Sequence, residues 1–381
     1  METSTSQLYA DLGVRPVINA AGAYTVLGGS TLSPGVRAAM EEANRSFADM
    51  KELLARSCEV VAGLLEAEAA YVTSGAAAAL VLATAACLTR DHPEAFERLP
   101  DTSAIPAEVL THSCTRQKYD RCLELAGARL VEFGNSSGAT IDDLRAAIGP
   151  ATAAVHSLVP PHPVPGLLPV EAVIEAAHAR GVPVIVDAAG HTYPLDSMRR
   201  YTRLGADLVC YAGKYFDAPH STGLVTGRRQ LVDLVATNSF VGFETSGYYT
   251  LGRPLKVDRQ EIVGLVVALR EWLAMNHEER LLRYAARCDF LLDELRSVPG
   301  IEAFHVAERE TPLPQFRDGV RILLDGAGKR AEEVFGRLRD GEPSVWVRIA
   351  DEVANAINVS VAFFRDEDLE VVARRLQQAL S

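Results

Sequence analysis

The sequence predicts an α/β protein with a mostly parallel sheet and a second, smaller α+β domain at its C-terminal end. Three observations carry this expectation. Strand-like and helix-like segments alternate between about residues 55 and 230, the strand-like ones are continuous apolar runs, and the texture changes after Pro299. Strand–helix–strand spacing implies right-handed crossovers and parallel strands covered by helices on both faces. Strands buried on both faces read as unbroken apolar runs, as "VPVIVD" and "ADLVCYA" do.

Taken in order, the segment to about Ser46 is rich in Gly, Ala, Ser and Thr and reads as an irregular arm. Residues 58–66 and 76–87 have the length and Ala/Leu/Val content of helices. Strand-like runs stand at 129–133, 152–159, 182–187, 206–212 and 223–226, separated by helix-like segments such as 169–180, 196–204 and 228–236. One long amphipathic pattern over 260–295 reads as a helix bridging to the last domain. Beyond it "VRILLD", "VWVRIA" and "AINVSVA" read as strands, and "AEEVFGRLRD" and "EDLEVVARRLQQAL" as helices. The expected domains are an arm at 1–50, a large domain at 51–258, and the bridging helix with a small domain at 259–381.

The chain has 381 residues and a net charge of −12, which disfavours a broad nucleic-acid-binding face. No apolar run approaches the ~18 residues of a membrane span, and no basic, apolar signal segment opens the sequence. Six cysteines lie scattered without a C-x-x-C pair, which disfavours structural zinc and a disulfide scaffold and points to a reducing cytoplasm. Lysines are few: Lys51, Lys118, Lys214, Lys256 and Lys329. Where one of them sits outside a solvated context therefore matters.

In a parallel α/β sheet, ligands bind at the carboxyl ends of the strands. "VPVIVD" delivers Asp187 there, and "ADLVCYAGK" delivers Lys214 about one strand–helix–strand unit later. A lysine at the end of a buried strand is desolvated, which lowers its pKa and makes it nucleophilic. Pyridoxal phosphate needs such a lysine for its Schiff base and a carboxylate against its pyridinium nitrogen. An ordinary salt bridge, or two solvated loops, would show the same spacing. "Thr73-Ser74-Gly75-Ala76" precedes an Ala-rich helix and would offer N–H groups and a positive dipole end to a phosphate; an N-cap by Ser74 would look the same. "Pro219-His220-Ser221-Thr222-Gly223" could supply hydroxyls, and "Gly252-Arg253-Pro254-Leu255-Lys256" sets two cations beside a rigid proline. His191 could act as acid or base, whereas His156 and His162 read as structural. "Gly326-Ala327-Gly328-Lys329" lacks the full P-loop spacing and reads as a turn.

These segments resemble the selenocysteine synthase-like group of fold type I pyridoxal phosphate enzymes, which includes D-glucosaminate-6-phosphate ammonia-lyase-like proteins. The resemblance runs over about residues 9–270, through "VINAAGAYTVLGGSTLSP", "YVTSGAAAALVLATAACL", "VIVDAAG", "LVCYAGKYFDAPHSTGLVTGR" and "LGRPLKVDRQEIVGLVVAL". It implies a fold type I, aminotransferase-like architecture with pyridoxal 5'-phosphate bound covalently by Lys214 and Asp187 at the pyridine nitrogen. Ser74, Gly75 and Ala76 would hold the phosphate with Ser221 and Thr222. Arg253 and Lys256 would lie near the active site, across the interface of a homodimer or higher homo-oligomer. Arg348 would meet the substrate carboxylate, with Arg116 and His112 in the substrate pocket.

Two departures fall in that pocket. Relatives carry a His-Arg pair followed by Tyr-Asp, whereas this chain reads "Thr115-Arg116-Gln117-Lys118-Tyr119-Asp120", with His112 three residues before the threonine. After the lysine "Tyr215-Phe216-Asp217-Ala218" replaces a Gly-rich turn. The expected activity is β-elimination of the ammonia-lyase type on a small amino acid. Oxidative decarboxylation and racemisation are alternatives on the same cofactor, and a non-catalytic α/β binding protein is the alternative of another class.

Overall fold

The computed structural model describes residues 7–161, 163–306, 319–350 and 353–381; His162 lies outside them. Two compact units divide the chain, Ser30–Met275 and the combination of Met1–Gly29 with Asn276–Ser381. A short helix α1 (Gln7–Asp11) and strand β1 (Val17–Asn19) open the chain and belong to the second unit.

The large unit starts with α2 (Pro34–Asn44) and α3 (Met50–Leu65), whose first turns are capped by Ser33 and Asp49 accepting from the N–H groups of Val36 and Glu52. There follow β2 (Ala69–Thr73), α4 (Gly75–Thr89), β3 (Glu108–His112), α5 (Arg121–Leu125), β4 (Arg129–Phe133), α6 (Ile141–Ala147) and β5 (Thr152–Leu158). The unit continues with α7 (Val170–His178), β6 (Val184–Asp187), α8 (Ser197–Arg203), β7 (Leu208–Ala212), β8 (Gly223–Gly227), α9 (Arg229–Asn238), α10 (Phe240–Thr245) and α11 (Arg259–Ala274). Seven strands form one sheet in the order β2-β8-β7-β6-β5-β3-β4. Only β8 runs against its neighbours β2 and β7, so the sheet is mostly parallel as expected. The carboxyl ends of β2 to β7 therefore share one edge, together with the amino end of β8. Helix α4 is apolar all round and is buried from Ala78 to Thr89, as such a helix must be. Its Thr84 and Thr89 hydroxyls donate to the carbonyls of Leu80 and Ala85, one turn earlier.

In the second unit, α12 (His277–Leu295), β9 (Glu302–His305), β10 (Gly319–Leu323), α13 (Ala331–Asp340), β11 (Ser344–Trp346), β12 (Arg348–Ile349), β13 (Ala356–Ser360) and α14 (Leu369–Leu380) are described. Strands β12-β13-β10-β9 make an antiparallel sheet, and β11 pairs in parallel with β1. Its core joins Cys288 and Leu291 to Val320, Ile322, Val334, Ile357 and Leu376.

Three features differ from the sequence expectation. The arm 1–50 is divided: Ala20 donates to Trp346 O and accepts from Ser360 N, both at 2.8 Å, while α2 packs on α11 in the large unit. The pattern over 260–295 is two helices, because Met275 is extended (ψ 143°) and Asn276 starts α12 by accepting the Glu279 N–H at 3.2 Å. "VWVRIA" is two strands, β11 and β12, which belong to different sheets.

Candidate active site

At the carboxyl edge, Thr73 and Ala212 both register against Gly223, and Asp187 registers between Leu158 and Cys210. After β2 the chain turns into α4 through Ser74, which makes no side-chain cap, and Gly75, at φ +89°. Serine is therefore not spent as an N-cap, and the first N–H groups of α4 stand at the turn with the positive end of the helix dipole. Gly223 backs this turn so closely that a Cβ there would lie 2.5 Å from Gly75 C and 2.7 Å from Ala76 N. Only glycine permits the approach.

Asp187 is 4% exposed, and Oδ1 accepts from Ala189 N at 3.2 Å. Burial, with the nearby Asp120 charge adding to it, pushes its carboxyl up to about 6. No cation among the described residues forms an ion pair with it. A desolvated carboxylate without its counter-charge is what a protonated ring nitrogen requires, so this residue fits the pyridoxal group.

Lys214 lies in a tight turn at Gly213–Phe216, half-buried, with Nζ 5.2 Å from the Tyr215 ring centroid. The turn is tied to the Asp187 loop: Ala212 N donates to Ala189 O at 3.1 Å and Thr192 Oγ1 donates to Tyr215 O at 2.8 Å. Trp272 Nε1 fixes that loop in turn by donating to Thr192 O at 2.9 Å. His220, read from sequence only as part of a hydroxyl-bearing stretch, stands by the lysine. Burial and then the Lys214 charge push its imidazole down, and its Nδ1 is shut from solvent without a hydrogen bond to any described residue. The signal that could have found it was a histidine after the lysine turn.

Other expected site residues are engaged elsewhere. His191 is buried, burial pushes it down to about 4, and its Nδ1 shares a 3.0 Å hydrogen bond with Tyr201 OH. Thr222 donates to Pro219 O at 2.7 Å and closes the turn, while Ser221 Oγ donates to Glu261. Arg116 is held by Asp120 (2.6 Å) and Glu132, so its charge is balanced within the protein. His112 ends β3, but the register of Thr111 with His156 sets it on the sheet face opposite Asp187, against the Phe133 ring. There Cys114 Sγ approaches its Nδ1 at 3.1 Å, and burial pushes the imidazole down. Thr115 is buried and donates to His112 O at 3.3 Å. Arg253 pairs with Glu244 at 2.8 Å, and Lys256 is exposed. Arg348 belongs to the second unit, where Nε donates to Ala21 O at 2.8 Å and the guanidinium lies 4.4 Å from the Tyr24 ring centroid.

A model of the family described as aminotransferase class-V matches residues 15–316. The chain is similar to the 5'-C-glycyluridine monooxygenase-decarboxylase of Streptomyces sp, at 31% identity over 98% of this chain and 92% of that protein. It is similar to the D-glucosaminate-6-phosphate ammonia lyase of Salmonella typhimurium, at 28% identity over 98% of each chain. A solved structure of D-glucosaminate-6-phosphate ammonia-lyase superimposes with a TM-score of 0.82 at 26% identity, over 99% of both chains. The similarity thus extends past residue 270, where the sequence resemblance weakens.

Proposed function

The chain belongs to the aminotransferase class-V family, and we propose that it is a pyridoxal 5'-phosphate-dependent lyase acting on an α-amino acid with a leaving group on Cβ. The observation that carries this is the buried Asp187 carboxylate, ion-paired with no cation among the described residues, on the sheet edge that also bears the Lys214 turn and the amino end of α4. In this reading Lys214 Nζ would hold the cofactor covalently, and Asp187 would hold the proton of its ring nitrogen. The amides after Ser74 take the phosphate. When bound, the cofactor supplies an electron sink for the pair released at Cα. Lys214 Nζ would also be the base that accepts the Cα proton of the substrate, on a turn that is half-buried. For a 2-amino-3-hydroxy acid, net loss of ammonia leaves the 3-deoxy-2-oxo acid.

The 31% identity to a monooxygenase-decarboxylase over nearly the whole chain favours a second reading, in which the Cα–carboxylate bond breaks, carbon dioxide leaves and O2 is the oxidant. One assay separates the two. A panel of 2-amino-3-hydroxy acids, D-glucosaminate 6-phosphate among them, is incubated with and without O2. Ammonia with an equivalent of 2-oxo acid, formed equally without O2, is the expected result. Carbon dioxide release that stops on removing O2 would replace the lyase reading with the second.

We also propose a homodimer in a reducing cytoplasm, where six cysteines not joined in disulfides are stable, as cell fractionation would check. What supports assembly is apolar surface: Leu8, Leu12 and Val14 are more than half exposed in one unit, Phe47 and Tyr249 in the other. Among the described residues no helix is long and apolar enough to cross a membrane. Sedimentation should return twice the 41.1 kDa chain mass; a fully active monomer would contradict it.

A further inference from the structure

The antiparallel sheet of the second unit has two unlike faces. Val320 and Ile322 on β10, with Ile357 and Val359 on β13, point into the core. Alternate positions point the other way. On that face the register lines up Arg348 on β12, Asn358 on β13, Arg321 on β10 and Phe304 on β9. Directly opposed residues in such a ladder stand about 5 Å apart at Cβ, so Arg348 and Asn358 can meet one guest.

Both side chains are held by fixed contacts. Arg321 is 1% exposed, and its Nε donates to Asn358 Oδ1 at 2.8 Å. A guanidinium only donates, so the amide oxygen must face Arg321, and the donor end, Nδ2, is left for the β12 side. Among the described residues Nδ2 has no hydrogen-bond partner, and it is not shut from solvent. Arg348 Nε donates to Ala21 O at 2.8 Å, and its guanidinium lies 4.4 Å from the Tyr24 ring centroid. Asn19 fixes that turn by accepting from Ala21 N at 3.0 Å and donating to Gly22 O at 3.1 Å. Arg348 is exposed, and among the described residues no carboxylate pairs with it, so its two Nη groups are left over. The acid on the same face is Glu302, the register partner of Leu323. It sits on β9, two strands and about 10 Å from β13.

We infer that Arg348 and Asn358 form a carboxylate clamp, with Arg321 as the positioning residue that holds the Asn358 amide. The Nη fork matches a planar carboxylate, whose oxygens have lone pairs enough to take the Nδ2 donor as well. This deepens the lyase reading, on which it rests for the guest: the carboxylate of the amino-acid substrate.

Acetate is the probe, titrated into the full chain without cofactor. Nitrogen-15 labelling of asparagine and arginine reads Asn358 Nδ2 and Arg348 Nε by magnetic resonance, each signal assigned by its loss in Asn358→Ala or Arg348→Gln. Both signals should shift along one saturation curve. Asn358→Asp keeps an oxygen for Arg321 but replaces the donor with an anion, and acetate affinity read at Arg348 should fall at least about 10-fold. Arg321→Gln should weaken acetate by releasing the amide; should that variant fail to fold, Asn358→Asp still decides. An Asn358 amide unmoved by saturating acetate overturns the clamp, as does equal acetate affinity in the parent and Asn358→Asp. For any 2-amino-3-hydroxy acid that is turned over, Asn358→Asp should raise KM at least about 10-fold. An unchanged KM would place the substrate carboxylate elsewhere and overturn the assignment of the guest. Absence of turnover on every such acid would retire the lyase reading, while the acetate titration alone still judges the clamp.

Discussion

Lys214→Ala should abolish the visible absorbance of the purified protein and lower turnover by roughly 10³-fold or more, because covalent anchor and proton acceptor are lost together. Lys214 is the lysine placed at the carboxyl edge, in a turn whose glycine cannot be replaced. A Cβ on Gly213 would lie 2.2 Å from Thr222 Oγ1 and 2.9 Å from Thr222 O. The side chain is half-buried on that turn. The variant should accordingly keep its far-ultraviolet circular dichroism and still take up pyridoxal phosphate through the α4 turn, now removable by dialysis. Spectra before and after dialysis check this. Retained colour after dialysis would move the covalent link to another lysine.

Asp187→Asn should lose activity and gain stability. A charge-assisted hydrogen bond is worth about 1.5–3 kcal/mol, so the loss of the ring contact should lower turnover by about 10- to 100-fold. The stability effect has the opposite sign. Burial raises the Asp187 carboxyl from 3.8 to about 6 in the folded chain. Between those values the folded state binds more protons than the unfolded state, so stability falls as pH rises through that window. Above pH 6 the charged carboxylate then costs up to about 3 kcal/mol in the protein without cofactor, and the neutral asparagine removes that cost. Thermal denaturation without cofactor should show the variant more stable at pH 8 than the parent, with the gap closing toward pH 4. Saturating pyridoxal phosphate should reverse the order at pH 8. A variant less stable than the parent at pH 8 without cofactor would show that the carboxylate is already compensated inside the protein.

Much of this site was legible because its chemistry sits at strand ends. The runs ending at Asp187 and Ala212 gave the carboxylate and the lysine, since an unbroken apolar stretch of strand length marks a strand buried on both faces. Strands β2 and β3 were not read: β2 abuts the apolar α4, and β3 follows a segment with no helical period, so neither stood out as a run. The helix break at Met275 was hidden by an amphipathic pattern that continues across it, although Asn276 is a cap residue. Side-chain commitments were out of reach in another way. Arg116 pairs with Glu132 from β4, and His112 faces away from Asp187 because of a one-residue difference in pleat, which spacing along the chain cannot show.

We propose that Lys214 and Asp187 form one pyridoxal phosphate site at this sheet edge. Borohydride reduction of the purified protein, followed by proteolysis and mass spectrometry of the peptides, tests it most directly. A single phosphopyridoxyl adduct is expected on Lys214, with the absorbance at ~420 nm lost on reduction. An adduct on Lys51, Lys118, Lys256 or Lys329 in place of Lys214, or no adduct on a protein saturated with pyridoxal phosphate, would contradict it.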